Sequence, residues 1–318
     1  MDGRSVLLTG PARAGTTLTC ELLNRLPDTV ALDEPLFGWQ LTGSEAPSAM
    51  RKVLRRLGVK SAKRRLGMSS PSGGVTGSRD RAVANIEQFV ARTRTSLQER
   101  GVAVSKNVGG QVLGAKIADN KTDTGGLRRR LAKRGEIQID KKLPPDFVLV
   151  VKQNSGFTAL LDELTPRYRV FAIIRSPLTV LCSWQTVPFA VHDGHAGIAE
   201  SIDPELRFRL ASEPDALARQ LHLLSWFFRR YREALPDRSV VRYEDVVATR
   251  GTALAVIAES ANGLAAALTD RNRSSVYPPE MIRTLGKRLL ESDGAYWDFY
   301  SRDSVAELIE HAGTGGAR

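Results

Sequence analysis

Residues Arg4-Ser5-Val6-Leu7-Leu8-Thr9-Gly10-Pro11-Ala12-Arg13-Ala14-Gly15-Thr16-Thr17 constrain the fold of this chain more than any other stretch. A short apolar run enters a glycine-rich turn. The turn opens a helix whose apolar positions recur at helical spacing (Leu18, Leu22, Leu23, Leu26). Strand, tight loop and helix in that order belong to α/β architectures. Backbone N–H groups of such a turn point inward, and the helix N-terminus adds a partial positive charge. The loop is therefore built to hold an anion.

The same grammar returns later in the chain. Thr29-Val30-Ala31-Leu32 reads as a short strand ending at Asp33-Glu34-Pro35, and Phe147-Val148-Leu149-Val150-Val151 and Arg169-Val170-Phe171-Ala172-Ile173-Ile174 are continuous apolar runs. Such runs mark strands buried on both faces of a parallel sheet. Helices are expected over Phe157–Leu164, from Pro177 to Trp184 and over Leu217–Leu235, and a further strand over Ser239–Tyr243. The expectation is a single α/β domain over 1–318: a mainly parallel central sheet with helices on both faces, P-loop-like. Residues 40–145 break the rhythm. They hold a basic helix (48–66), a Ser/Pro/Gly linker (69–74) and a long amphipathic helix (79–100). Two strand-like pieces (102–104 and 112–117) flank Gly109-Gly110. This is read as a large helical insertion that caps or lines a substrate site.

Charge is concentrated in that insertion. The net charge is +11, yet Arg51 to Lys142 alone hold 23 Lys/Arg against 7 Asp/Glu. One cluster spans 51–66 (Arg51, Lys52, Arg55, Arg56, Lys60, Lys63, Arg64, Arg65), and another spans 128–134 (Arg128, Arg129, Arg130, Lys133, Arg134). Either these are solvated faces, or they meet an anionic substrate, an acidic partner or a peripheral membrane surface. Nucleic acid is not expected, because aromatics are not interleaved with the basic residues. No apolar run approaches the roughly 18–20 residues of a membrane span. The first strand begins within a few residues of Met1, so no signal peptide is expected and the chain reads as cytoplasmic. Cys20 and Cys182 are too few for a disulfide framework and read as reduced, buried thiols. His192, His195, His222 and His311 show no metal-ligand spacing, and no metal is expected.

Four segments fall at strand C-termini, where open α/β sheets bind their ligands: the 10–17 loop, Asp33-Glu34-Pro35, Lys152, and Arg175 through Ser183. The loop departs from an ATPase loop. The Walker pattern needs Gly-Lys-Ser/Thr, but here Thr16 follows Gly15 and the cation stands upstream at Arg13. Arg13-Ala14-Gly15-Thr16-Thr17 resembles the 5′-phosphosulfate loop of sulfotransferases that use 3′-phosphoadenosine 5′-phosphosulfate (PAPS), with Ala14 in place of their usual Ser. Ile173-Ile174-Arg175-Ser176-Pro177 through Ser183-Trp184 resembles that family's 3′-phosphate motif, an Arg closing a strand and a Ser eight residues on. Ser176 replaces the usual Asp. Val241-Arg242-Tyr243-Glu244-Asp245-Val246 resembles its Arg-Tyr-Glu-Asp-Leu strand end. The likeness touches 4–35 and 147–247, not the insertion.

The resemblance implies in-line sulfuryl transfer from PAPS to an acceptor hydroxyl, leaving adenosine 3′,5′-bisphosphate (PAP), without a metal. It puts Arg13, Ala14, Gly15, Thr16 and Thr17 at the 5′ end of the donor, and Arg175 and Ser183 at its 3′-phosphate. Glu34 is the implied general base, with Asp33 the neighbouring alternative. Lys152 either stabilises the transferring group or ion-pairs with Glu34 or Asp33. Arg13 also faces the leaving oxygen. By analogy, Lys287, Arg288 and Gly294-Ala295-Tyr296-Trp297 form a flap over the 3′-phosphate. Tyr243, Glu244 and Asp245 read as structural, and Trp184 and Trp226 as core. The basic balance suggests an acceptor such as an anionic glycan, an anionic lipid or a carrier-tethered metabolite, with a neutral hydroxyl compound also open. A P-loop kinase or NTPase is the rival enzyme, opposed by the missing lysine and by the lack of an apolar strand closing on an Asp for Mg²⁺. A non-catalytic nucleotide or anionic-glycan binder is the other rival, opposed by Glu34 and Lys152 beside the loop.

Overall fold

A computed structural model of the chain describes residues 4–45, 75–114, 117–122 and 127–314. The expected basic helix (48–66) and linker (69–74) lie outside these residues. Strands β1 (Ser5–Thr9) and β2 (Thr29–Asp33) open the chain. Strands β3 (Val102–Asn107), β4 (Ile117–Thr122), β5 (Arg128–Arg130) and β6 (Lys133–Gln138) belong to the insertion. Strands β7 (Val148–Lys152), β8 (Arg169–Ile174) and β9 (Val240–Arg242) follow.

The apolar runs pair side by side as a five-stranded sheet in the order β2-β7-β1-β8-β9, with every pairing parallel. All residues of β1 and β2 are buried, which requires cover on both faces of the sheet. Helices Thr16–Leu23, Pro177–Trp184 and Ala216–Ala234 supply much of it, the second with all eight residues buried. After β1 the chain moves to one side for β2 and β7, then to the other for β8 and β9. Strand order thus reverses around β1, and the crevice at such a reversal is where open α/β sheets hold ligands.

The insertion is a long helix (Val75–Arg100) followed by two antiparallel ribbons, β3 with β6 and β4 with β5. Arg94 staples that helix to the sheet: it donates to Phe147 O at 3.0 Å and stacks on the Phe147 ring. The β3 strand is tied to the edge strand by Ser105, whose Oγ accepts from Asp33 N at 2.9 Å. Of the expected strand at 112–117, residues 112–114 are not in a strand, 115–116 lie outside the described residues, and β4 begins at Ile117. The expected helix over Phe157–Leu164 is two short helices (Ser155–Ala159 and Leu161–Leu164), broken at Leu160 with φ −107°.

Trp184 and Trp226 are buried, and Cys20 and Cys182 are free and buried. Tyr296 packs edge-on against Phe228 of the Ala216–Ala234 helix, 6.2 Å between ring centroids. Among the described residues no helix is long and apolar enough to cross a membrane.

Candidate active site

The loop after β1 is held open by three residues in the left-handed region: Arg13 at φ 74°, Gly15 at φ 93° and Gly10 at φ 152°. A Cβ at Gly10 would stand 2.3 Å from Ile173 O, and one at Gly15 would stand 2.7 Å from Tyr243 Cδ2. Both glycines are therefore required by close approach as well as by φ. The loop is clamped to the sheet by Thr9, whose Oγ1 donates to Asn154 O at 2.7 Å and contacts Thr158 Oγ1 at 2.8 Å. Gly15 then caps the Thr16–Leu23 helix, leaving its first N–H groups directed at the crevice.

At the end of β8, Arg175 is buried, 5% exposed. It donates from Nε to Asn272 Oδ1 at 2.7 Å and from Nη1 to Arg13 O at 3.3 Å, and it stacks 4.4 Å over the Tyr243 ring. Its Nη2 is buried with no hydrogen-bond partner. Asn272 is fixed by Glu244, which also accepts from Ser176 N and Tyr300 OH. Glu244 thus holds the strand end, as its structural reading expects. Tyr243 does more than that, since its ring backs both Gly15 and Arg175.

The loop after β1 and the segment after β8 meet at Ser183, whose Oγ accepts from Arg13 Nε at 3.0 Å. A residue of the insertion joins them. Arg128, 5% exposed, donates to Thr186 Oγ1 at 2.8 Å and lies 3.4 Å from Ser183 Oγ.

The other pole stands at the ends of β2 and β7, whose register places Asp33 beside Lys152. Lys152 is fully buried, with Nζ 3.0 Å from Asp33 Oδ1 and 2.7 Å from Glu34 Oε1. Burial alone would push the ammonium pKa down. The Asp33 and Glu34 carboxylates outweigh it and hold the pKa above the usual lysine value. Of the two roles open to Lys152, the ion pair is the one its contacts display. Glu34 sits at φ 43°, an uncommon conformation for a side-chain-bearing residue. The turn is held from outside. Lys106 of β3 pairs with Glu34 Oε2, and Arg134 donates to Glu34 O at 3.1 Å and Leu36 O at 2.8 Å. Lys106 and Arg134 face each other across the β3–β6 ribbon.

One cavity of about 710 Å³ spans both poles, within the range of small-molecule sites. Arg13, Gly15, Thr16, Thr17, Glu34, Lys152 and Arg175 line it. Ala14 is fully buried beneath the loop, so its missing hydroxyl touches the cavity on no side. Ser183 reaches the site through the arginines that it binds. Lys106, Arg128 and Arg130 come from the insertion, and Tyr243, Thr269, Arg271 and Tyr277 from later segments. Their signal in the sequence is slight: Arg128 and Arg130 stand two apart in an extended, basic run, and Lys106 lies in a short strand.

Two expectations are corrected. An apolar strand does close on an Asp: β2 ends at Asp33, but its carboxylate is fully buried against Lys152. The flap is also misplaced. Lys287 and Arg288 lie on the Pro279–Leu290 helix, where Arg288 meets Asp215 at 3.4 Å, and Tyr296 packs into the core; none of them lines the cavity. The segment 267–277 stands there instead, because its Asn272 is bound to Arg175. His195 reaches the cavity wall with Nδ1 3.2 Å from Glu200 Oε2, and no cluster of three metal-ligating side chains occurs among the described residues.

No family model matches the chain. No curated protein matches it either. Among solved structures it is similar to the crystal structure of sulfotransferase STF1 from Mycobacterium tuberculosis, at 14% identity over 96% of this chain and 76% of that one, with a TM-score of 0.31.

Proposed function

We propose that this chain moves a sulfuryl group from PAPS to an acceptor hydroxyl. One observation carries the reading. Arg175 is buried at the end of β8 with Nη2 unpartnered, in the same cavity as the anion loop and Glu34. A buried charged donor left unpaired is costly, on the order of 1–3 kcal/mol, and an anionic ligand relieves that cost. Two anion poles, one at the loop and one at Arg175, suit a donor that is anionic at both ends. The close-fitting glycine loop and the orphaned guanidinium N–H fit such a molecule.

In this reading Gly15, Thr16 and Thr17 hold the 5′ end with backbone N–H groups and hydroxyls. Arg175 holds the 3′-phosphate, the guanidinium fork giving paired hydrogen bonds, and Ser183 contributes by fixing Arg13 and Arg128 beside it. Arg13 touches both motifs and neutralises charge on the leaving oxygen. When bound, the donor supplies the sulfuryl group, and the chain supplies alignment and charge. Glu34 takes the acceptor proton as the new O–S bond forms and the bond to the bisphosphate breaks. A positioned base of this kind contributes ~10²–10⁴-fold. Lys152 and Lys106 fix the carboxylate from two sides, and Lys152 compensates charge on the transferring group.

The test is calorimetric titration of the protein with adenosine 3′,5′-bisphosphate and, separately, with Mg-ATP, for the native chain and Arg175→Ala. Bisphosphate binding in the native chain, weaker ATP binding and a loss in Arg175→Ala are expected. Binding of Mg-ATP with no response to the bisphosphate would overturn the reading in favour of a kinase.

A further inference from the structure

Residues 128–134 run along the cavity as a rail. Arg128, Arg130 and Ala132, each two residues from the next, line the cavity, and Arg134 holds the Glu34 turn. The spacing is that of an extended chain presenting alternate side chains to one face. The rail leads from Ser183, where Arg128 ends, to the carbonyl of Glu34, where Arg134 ends. Between these two occupied arginines stands Arg130. Its guanidinium lies 4.7 Å over the Phe189 ring and makes no hydrogen bond or ion pair among the described residues. Stacking holds the plane while leaving its N–H edge able to take an anion in a paired fashion.

The wall beside it is mostly apolar. Phe189, Val191, Ala196, Ile198 and Phe227 line the same cavity, with His195 the polar side chain among them, paired with Glu200. Ile198 packs against Gly156, four residues beyond Lys152, which brings this wall to the Glu34 and Lys152 end. A glycan would leave its hydroxyls facing such a wall without partners, which is costly. A hydrocarbon body gains there by leaving water.

We propose that the acceptor is a small hydroxy acid with an apolar body, its hydroxyl at Glu34, its hydrocarbon on the Phe189 wall and its anionic group on Arg130. This rests on the sulfuryl-transfer reading and selects one chemistry among the acceptors which that reading leaves open. Arg130 is the specificity-determining residue.

The experiment follows formation of the bisphosphate product from PAPS with 8-hydroxyoctanoate, with 1-octanol and with chondroitin, using the native chain and Arg130→Gln. The hydroxy acid should exceed the alcohol by roughly tenfold in kcat/KM, the value of about 1.4 kcal/mol of differential binding. In Arg130→Gln the ratio should fall toward one, and Arg130→Lys should restore part of it. A native ratio near one, a preference that survives in Arg130→Gln, or chondroitin as the best acceptor would each overturn the proposal. Bisphosphate binding without sulfation of either octyl compound removes this acceptor class alone. Absence of bisphosphate binding removes the donor reading, and this proposal with it.

Discussion

Arg13 donates its Nε–H to the Ser183 hydroxyl at 3.0 Å, so two motifs 170 residues apart in sequence share one oxygen atom. Arg175 reinforces the junction by donating to the Arg13 carbonyl. Substitutions at such a junction do not act independently. Arg13→Ala and Ser183→Ala should each weaken bisphosphate binding, and the double variant should depart from additivity by roughly 0.5–3 kcal/mol. Calorimetry on the four proteins measures it. Strict additivity would show that the two motifs serve separate ligands.

Gly15 combines a left-handed φ with a Cβ position 2.7 Å from the Tyr243 ring. Gly15→Ala should destabilise the protein by about 1–3 kcal/mol of backbone strain. It should also weaken bisphosphate binding, because Tyr243 must shift beneath Arg175. Thermal unfolding and titration check the two effects, and an unchanged melting temperature would contradict the close approach.

Lys152 and Asp33 form a pair in which both side chains are 1% exposed. Lys152→Met strips the ammonium from a buried carboxylate, and removal of one partner of such a pair costs about 3–5 kcal/mol. Replacing both, as Lys152→Met with Asp33→Leu, should recover most of that stability and no transferase activity. The raised lysine pKa fixes the sign of the pH effect. The contribution is complete below about 10.4, the ordinary lysine value, and fades only above it. Urea unfolding should therefore show no loss from this pair between about pH 6 and 9.

Arg134 holds two carbonyls of the Glu34 turn at once, and a lysine has no planar fork with which to do so. Arg134→Lys should lower kcat by roughly tenfold through misplacement of Glu34 while leaving bisphosphate affinity unchanged. Equal losses in kcat and in bisphosphate affinity would point to general loosening of the site.

Burial pushes the Cys182 thiol up to about 12. At pH 8 its thiolate fraction is then about one in ten thousand, and the thiolate is the reactive form. Neither Cys182 nor the buried Cys20 should react with iodoacetamide until the protein is unfolded, which mass spectrometry of native and denatured samples would show.

The parallel sheet is legible because each strand is an apolar run with its own local signal. β8 falls at Arg169–Ile174 as the hydrophobic run predicts, and the loop before Thr16 announces itself through its glycines. The ribbon of β3 and β6 has no such signal. Lys133–Gln138 is mostly charged and polar, and its pairing with Val102–Asn107 is set by contacts between segments far apart in the chain. Arg128, Arg130, Lys106 and Arg134 therefore read as diffuse basic charge, although the fold sets Arg128 on Ser183 and Thr186, Arg130 on Phe189, and both Lys106 and Arg134 on Glu34. Asn272 and its neighbours lie in a motif-free segment and are held at the site by Glu244, Arg175 and the Tyr243 hydroxyl.

One short strand carries both Arg128, tied to Ser183, and Arg130, stacked on Phe189. If a ligand that shifts either arginine also shifts the other, occupancy at one end of the cavity would alter affinity at the other. Thermodynamic linkage makes that effect reciprocal. An acceptor that tightens nucleotide binding must itself be bound more tightly once the nucleotide is in place.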